Sequence, residues 1–311
     1  MYSFINIIVS LLVSMTPVNY SKTTLGLSQK GQKINAWYFP GTSNLNALVV
    51  GGMHGSELSS IEVANALIEL LKQEKSYYNV IVIPCLFPDN AQASSRYSHD
   101  HAADPNRQMP SPGKAFDPAS PVDHIGRAIE PENQLLLKVI AQFRPHRIAN
   151  LHAIRDVTKA GVYADPRTDS RGFALGFDTD SSLAVDMARR IAAQGPYIPG
   201  NNLEKFPTAL YYKDPPVAPA GQLQQRNTRG SLLPQHRGEG ISLGTWASTA
   251  VEDDRDAMRL LTIEFPGYKV SAQTHSAVKA YATAISSIFL GKYYLEKENI
   301  KAVTTFTAAR Q

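Results

Sequence analysis

The feature that most limits how this chain can fold is the stretch Asn79 to Leu86, a nearly continuous apolar run closed by Pro88-Asp89-Asn90. A strand without polar alternation has no solvent face, so it belongs in a sheet covered on both sides. Ala47-Leu48-Val49-Val50 also reads as a buried strand. Pro84 cannot donate to a ladder and marks the end of its run or a bulge. Between and after such runs lie segments with helical spacing. Leu58 to Leu71 carries Ile61, Ala64, Leu67, Ile68 and Leu71 at that spacing. Pro131-Glu132 opens a second helix with Leu135, Leu136, Val139, Ile140 and Phe143 on one face, proline suiting a first turn. Ser181 to Gln194 and Thr274 to Leu290 read as two more. Lys33 to Phe39 partly alternates, with Ile34, Ala36 and Tyr38 on one face, and reads as an edge strand closed by Pro40-Gly41. Arg147 to Leu151 and Arg259 to Phe265 are further strands. Strands interleaved with helices make this an α/β chain.

Composition narrows the function classes. The chain has 311 residues, 43% hydrophobic and 19% charged, which permits a sizeable core and excludes disorder as the dominant state. The net charge of +4 comes without a dense Lys/Arg cluster, so a nucleic-acid partner is discounted, and the excess fits an anionic small substrate. The single cysteine, Cys85, excludes an internal disulfide framework and reads as a buried small hydrophobe. Phe4 to Met15 is apolar but too short to span a bilayer. It reads as a weak export signal or as a first helix, so the expected location is periplasmic or exported, with the cytoplasm as the alternative, and no stable membrane insertion is expected.

Chemistry-bearing residues gather at strand ends. Gly51-Gly52-Met53-His54-Gly55-Ser56-Glu57-Leu58 joins the strand ending at Val50 to the first helix, so His54 and Glu57 sit at the carboxyl end of a strand, where open α/β sheets place ligands. Three residues apart at the first helical turn, they present an imidazole and a carboxylate on one side. Arg147 to Leu151 delivers His152, and Arg259 to Phe265 delivers Glu264 just before Pro266-Gly267. Two histidines and a glutamate form a common catalytic zinc set that leaves a position for water. A carboxylate outside that set must then take the water's proton, and Glu264 is the candidate. The long aperiodic span Ala91 to Asp123 holds Arg96, His99, His101 and Asp104-Pro105-Asn106-Arg107-Gln108, and its polar content favours a functional loop.

With these motifs in order, the chain resembles the zinc carboxypeptidases of the metallocarboxypeptidase clan, whose pattern is His-x-x-Glu, then Asn-Arg, then a histidine after a strand, then a glutamate near the C-terminus. Here these are His54/Glu57, Asn106/Arg107, His152 and Glu264. Pro88-Asp89 resembles the segment ahead of that family's oxyanion arginine, which points to Arg96. Gly244-Thr245-Trp246 ahead of Thr262-Ile263-Glu264-Phe265-Pro266 resembles the bacterial murein peptide amidase branch, which cleaves the γ-D-glutamyl–diaminopimelate bond. The resemblance covers roughly Ser28 to Leu290. It implies a mixed, mostly parallel sheet with helices on both faces, in one catalytic domain over 21–295, after a leading segment 1–20 and before a polar tail 296–311. It implies one zinc ion held by His54, Glu57 and His152. Arg96 would serve the oxyanion, Arg107 and Asn106 the substrate carboxylate, and Glu264 the attacking water. The implied substrate is a small anionic peptide, with a cell-wall peptide as the specific expectation. Gln108 and Pro105 depart from the family's pattern. The alternatives are an N-acyl amino-acid deacylase resembling aspartoacylase and succinylglutamate desuccinylase, and a non-catalytic zinc-bearing binder. Oligomeric state is not legible.

Overall fold

The computed structural model describes residues 18–98, 103–175, 178–196, 198–201, 203 and 239–292. Phe4 to Met15, His99, His101, His236 and the tail from Asn299 lie outside them, as does most of the Pro/Gly-rich region between Gly195 and Gly244.

Strands β1 (Ser21–Leu27), β2 (Lys33–Phe39), β3 (Asn46–Val50), β4 (Asn79–Ile83), β5 (Arg147–Ile154), β6 (Gly161–Ala164) and β7 (Arg259–Pro266) form one seven-stranded sheet in the order β1-β2-β4-β3-β5-β7-β6. The central four strands, β4, β3, β5 and β7, run parallel. The outer pairings, β1 with β2, β2 with β4 and β6 with β7, are antiparallel. The helices are α1 (Leu58–Leu71), α2 (Pro88–Gln92), α3 (Pro131–Phe143), α4 (Asp178–Ala192), α5 (Leu243–Ala247) and α6 (His275–Ala284).

The continuous apolar strands have the predicted consequence. Side chains alternate across a strand, so adjacent residues of β3 enter different cores. Ala47 and Val49 join α1, α4 and α6 in one cluster with Val63, Leu67, Met187 and Tyr281. Leu48 and Val50 join α3 and α5 in the other, with Leu136, Ile140, Leu243 and Trp246. The result is a single α/β domain with a mixed sheet between two helical layers.

Several boundaries differ from the sequence reading, each for a physical reason. Lys33–Phe39 is not an edge strand, because β1 pairs outside it. Strand β1 is mostly exposed and carries Ser21, Lys22, Thr23 and Thr24, so no apolar pattern announced it. The Asn79 run leaves the ladder at Ile83, just before Pro84, and Pro88, which closes the apolar run in the sequence, opens α2 at its first position. Strand β5 runs past Leu151 to Ile154, which places His152 inside the strand, paired with Glu264 of β7 rather than beyond the ladder. The closing helix is regular only to Ala284 and ends in a π-helical turn, Ile285–Phe289.

Two glycines shape the turn that leaves β3. Gly52 has φ of +63°, a conformation that costs a side-chain-bearing residue. At Gly55 a Cβ would stand 2.0 Å from the carbonyl carbon of Asn90, so this turn packs directly on the backbone of α2. Cys85 lies against Gly52 in the same junction; it is half-buried, not the fully buried hydrophobe expected, and desolvation, with the nearby Asp89 carboxylate, pushes its thiol up to about 12. A thiolate is the reactive form. Native protein at pH 8 should therefore resist iodoacetamide over an hour and react fully once denatured, as mass spectrometry of the intact chain would show. Rapid native labelling would contradict the raised thiol pKa.

Candidate metal centre

The site is assembled by three chain segments that leave the parallel strands on the same rim. After Val50 the backbone is held by Leu86 N donating to Gly51 O (3.0 Å) and Phe87 N to Gly52 O (3.0 Å). Glu57 occupies the N-cap of α1 without capping it through its side chain. That carboxylate turns instead towards His54 and His152. His54 Nδ1 lies 2.8 Å from Glu57 Oε1, and His152 Nδ1 lies 2.9 Å from Glu57 Oε2. Strand β3 ends opposite Asn150, so β5 beyond that point has a free edge, and Ala153 N donates to Glu57 Oε2 at 3.0 Å. All three side chains are at most 4% exposed.

The donor set fits a metal. One ligand atom from each of His54, Glu57 and His152 can be chosen so that all lie within 4.8 Å of one another, the only such group found among the described residues. Ligands of one zinc with bonds near 2.1 Å lie up to about 4 Å apart, so small inward movements suffice. Two imidazole nitrogens and a carboxylate suit zinc. The opposite nitrogen of His54 is also provided for: Nε2 lies 2.9 Å from Asp104 Oδ1. A carboxylate at that nitrogen selects the tautomer that leaves Nδ1 with its lone pair facing the site.

Electrostatics agree with a cation-ready cluster. Burial opposes ionisation of Glu57, but His54 and His152 outweigh it and hold the carboxyl far below its usual range. Burial likewise opposes ionisation of Asp104, while His54, Arg96 and Arg107 hold it well below. For His54, burial pulls downward, but Glu57 and Asp104 raise the pKa above its ordinary value. Glu264 shifts the other way: burial pushes it up, against His152 and with Glu57. The described residues donate no side-chain or loop hydrogen bond to the Glu264 carboxylate, which stands beside the His54, Glu57 and His152 group on the strand next to His152.

The remaining predicted residues converge on the same place. Arg96, partly exposed, donates from NH1 to Glu57 Oε1 (2.8 Å) and from Nε and NH2 to Asp104 Oδ2 (3.2 and 3.1 Å). Asn106 and Arg107 form a 3₁₀ turn, Pro105–Arg107, begun by Asp104, whose Oδ1 accepts from Asn106 N at 2.8 Å. Leu243 N donates to Asn106 Oδ1 at 3.0 Å, and Asn106 Nδ2 lies 3.5 Å from His152 Nε2. Arg107 donates from Nη1 to Asn106 O at 2.6 Å, while its buried Nε has no partner among the described residues.

Sequence reasoning missed two acids. Asp104, in the sequence only one member of a polar loop, binds His54, Arg96 and Asn106. An aspartate before Pro-Asn, able to bond the backbone two residues on, was the available signal. Asp165 follows β6, a four-residue strand that gave no pattern. Burial pushes it up to about 6, against a Thr262 hydroxyl bond (3.2 Å) and the charges of His152 and Arg107. Gln108, the departure from the family pattern, turns out to be a strut. It is fully buried and its Oε1 accepts from Glu130 N and Asn133 Nδ2 at 3.0 and 3.1 Å, tying the Asn106-Arg107 turn to α3. Trp246 is also structural: buried on α5, it donates to Lys114 O and carries the Arg255 guanidinium over its ring.

No protein-family model matches this sequence, and no curated protein matches it. Solved structures do. The chain is similar to a protein of Shewanella amazonensis SB2B proposed to be a metallopeptidase, at 16% identity and a TM-score of 0.51, covering 88% of this chain and 87% of that one. It is similar to carboxypeptidase A of Helicoverpa armigera, at 16% identity and a TM-score of 0.51, covering 87% of this chain and 69% of that one. At such identity the likeness is one of fold: the architecture is carboxypeptidase-like. No helix among the described residues is long and apolar enough to cross a membrane.

Proposed function

We propose that this protein is a zinc-dependent hydrolase that cleaves an amide bond in a peptide with a free carboxylate, with a peptidoglycan peptide as substrate. The observation that carries the reading is the buried convergence of His54, Glu57 and His152 beside the unbonded carboxylate of Glu264. A zinc ion held there would supply a Lewis acid that polarises a carbonyl and makes a water more acidic. The chain's own groups divide the remaining work. Glu264 accepts the proton of the attacking water on its carboxylate and returns it to the leaving amine. Its raised pKa suits both halves of that exchange. Arg107 takes the substrate's carboxylate, for which a planar guanidinium is well shaped, and Asn106 orients it. Arg96 donates to the developing oxyanion by exchanging its NH1 bond to Glu57, while two bonds to Asp104 keep it in place. A periplasmic or exported location belongs to the same proposal.

The deciding experiment incubates zinc-loaded protein with L-Ala-γ-D-Glu-diaminopimelate and, in parallel, with N-acetyl and N-succinyl amino acids, and reads products by mass spectrometry. Release of L-Ala-D-Glu and diaminopimelate, with the acylated amino acids untouched, is the expected result, abolished by a chelator and restored by zinc. Cleavage of the acylated amino acids alone would replace the reading with a deacylase. Bound zinc with no product from either would replace it with a binding protein.

A further inference from the structure

The strand ends that bring the metal ligands together also bring a second set of side chains. Ser56 precedes Glu57, Arg155 follows His152 by three residues, and Tyr268 and Lys269 follow Glu264 on the turn after β7. With Arg96 they line a cleft of about 610 Å³. Arg96 joins the cleft to the metal cluster, since the same guanidinium donates to Glu57 and Asp104. Arg107 is not among its walls, so the cleft and the proposed carboxylate-binding arginine serve different parts of a ligand.

Among the described residues the walls carry three cations and no acid. The charge of Arg96 is already met by Asp104 and Glu57. Arg155 and Lys269 are exposed and make no ion pair among the described residues. Asp156, the acid nearest in sequence to Arg155, is occupied by Lys159 and Thr158. The Arg155 guanidinium lies 5.5 Å from the centre of the Tyr268 ring, which limits its wandering. That ring is on a turn fastened to α1: Ser59 N donates to Tyr268 O at 3.0 Å and Ser59 Oγ to Gly267 O at 2.6 Å. Ser56 Oγ, buried at the cleft, has no partner among the described residues, and a buried hydroxyl left unbonded costs free energy that a ligand acceptor or donor would recover.

From this we infer that Arg155, Lys269 and Ser56 form a subsite for a second carboxylate of the substrate, on the residue contributing the acyl side of the cleaved bond. The assignment rests on the hydrolase reading above, which puts the first carboxylate at Arg107. Specificity then comes from a dianionic peptide spanning the metal cluster, one charge at each end.

The test compares two ligand pairs that differ only in this charge. L-Ala-γ-D-Glu-diaminopimelate and its D-isoglutamine amide are compared by kcat/KM. N-acetyl-D-glutamate and N-acetyl-D-isoglutamine are compared by calorimetric binding, which needs no turnover. We expect the charged member to be favoured about 10-fold in each pair, as charge-assisted bonds allow. Arg155→Gln with Lys269→Gln should erase that preference while leaving cleavage of the amidated peptide unchanged. Equal binding of the two N-acetyl compounds, or a preference surviving in the double variant, overturns the subsite. A binding preference that vanishes in the double variant, seen together with cleavage of neither tripeptide, keeps the subsite and removes the hydrolase reading instead.

Discussion

Glu264→Gln should lower amide hydrolysis about 10²–10⁴-fold, the range a positioned general base supplies, while the protein stays folded and still binds one zinc ion. The two halves of this result have separate causes. Glu264 lies on β7 and contributes no atom to the cluster of His54, Glu57 and His152, so its loss should leave the metal site intact. Glutamine keeps the shape of the side chain but cannot take up a proton from water at neutral pH. Stability gives an independent check. The folded-state pKa of Glu264 is raised, chiefly by burial. Ionising it therefore destabilises the metal-free fold as pH rises through the carboxylate range. A neutral amide avoids that cost, so the metal-free variant should melt no lower than the native protein at pH 7 and should lose this part of the pH dependence. Turnover with the tripeptide, metal analysis and melting curves decide the matter together. Near-native turnover would remove Glu264 from the chemistry, and loss of zinc along with activity would make it a ligand.

Much of this site is legible because its candidate ligands follow apolar runs. Ala47–Val50 and Arg147–Leu151 are recognisable as buried strands without tertiary information, and His54 and His152 follow directly. Glu264 stands out because Leu260, Leu261, Ile263 and Phe265 surround it in a strand that Pro266-Gly267 must close. Helix α1 was read to its last residue, since its apolar spacing is uninterrupted. What stayed hidden depends on contacts between distant segments. Strand β1 is polar and exists because β2 offers it an edge. Strand β6 spans four residues and is defined by its pairing with β7. Asp165 acquires meaning only when β6 pairs antiparallel with β7 and sets it beside Thr262, and Arg155 only when the ends of β5 and β7 meet at one rim. Asp104 is the sharpest case: nothing near it in the chain indicates that 50 residues separate it from the imidazole it touches.

That contact makes Asp104 the source of the second large effect. Asp104→Ala should weaken zinc binding about 10–100-fold, the usual cost of removing a carboxylate behind a ligating histidine. Without it, His54 Nε2 loses its partner at 2.9 Å, and the tautomer that directs the Nδ1 lone pair to the metal is no longer selected. Asp104→Asn retains an acceptor but no charge, so its loss should be smaller, and the gap between the two variants measures the charge. Restoring the metal should not restore the rate. Asp104 Oδ2 also anchors Nε and NH2 of Arg96, and Oδ1 accepts from the backbone of Asn106 at the head of the turn that presents Arg107. At saturating zinc the alanine variant should therefore remain slow, with kcat reduced through Arg96 and KM raised through Arg107. Zinc affinity from competition with a chelator, and kcat and KM at saturating zinc, separate the contributions. Full recovery of kcat and KM under excess zinc would show that Asp104 acts through His54 alone, and that Arg96 and the turn proposed to bind the substrate carboxylate hold their positions without it.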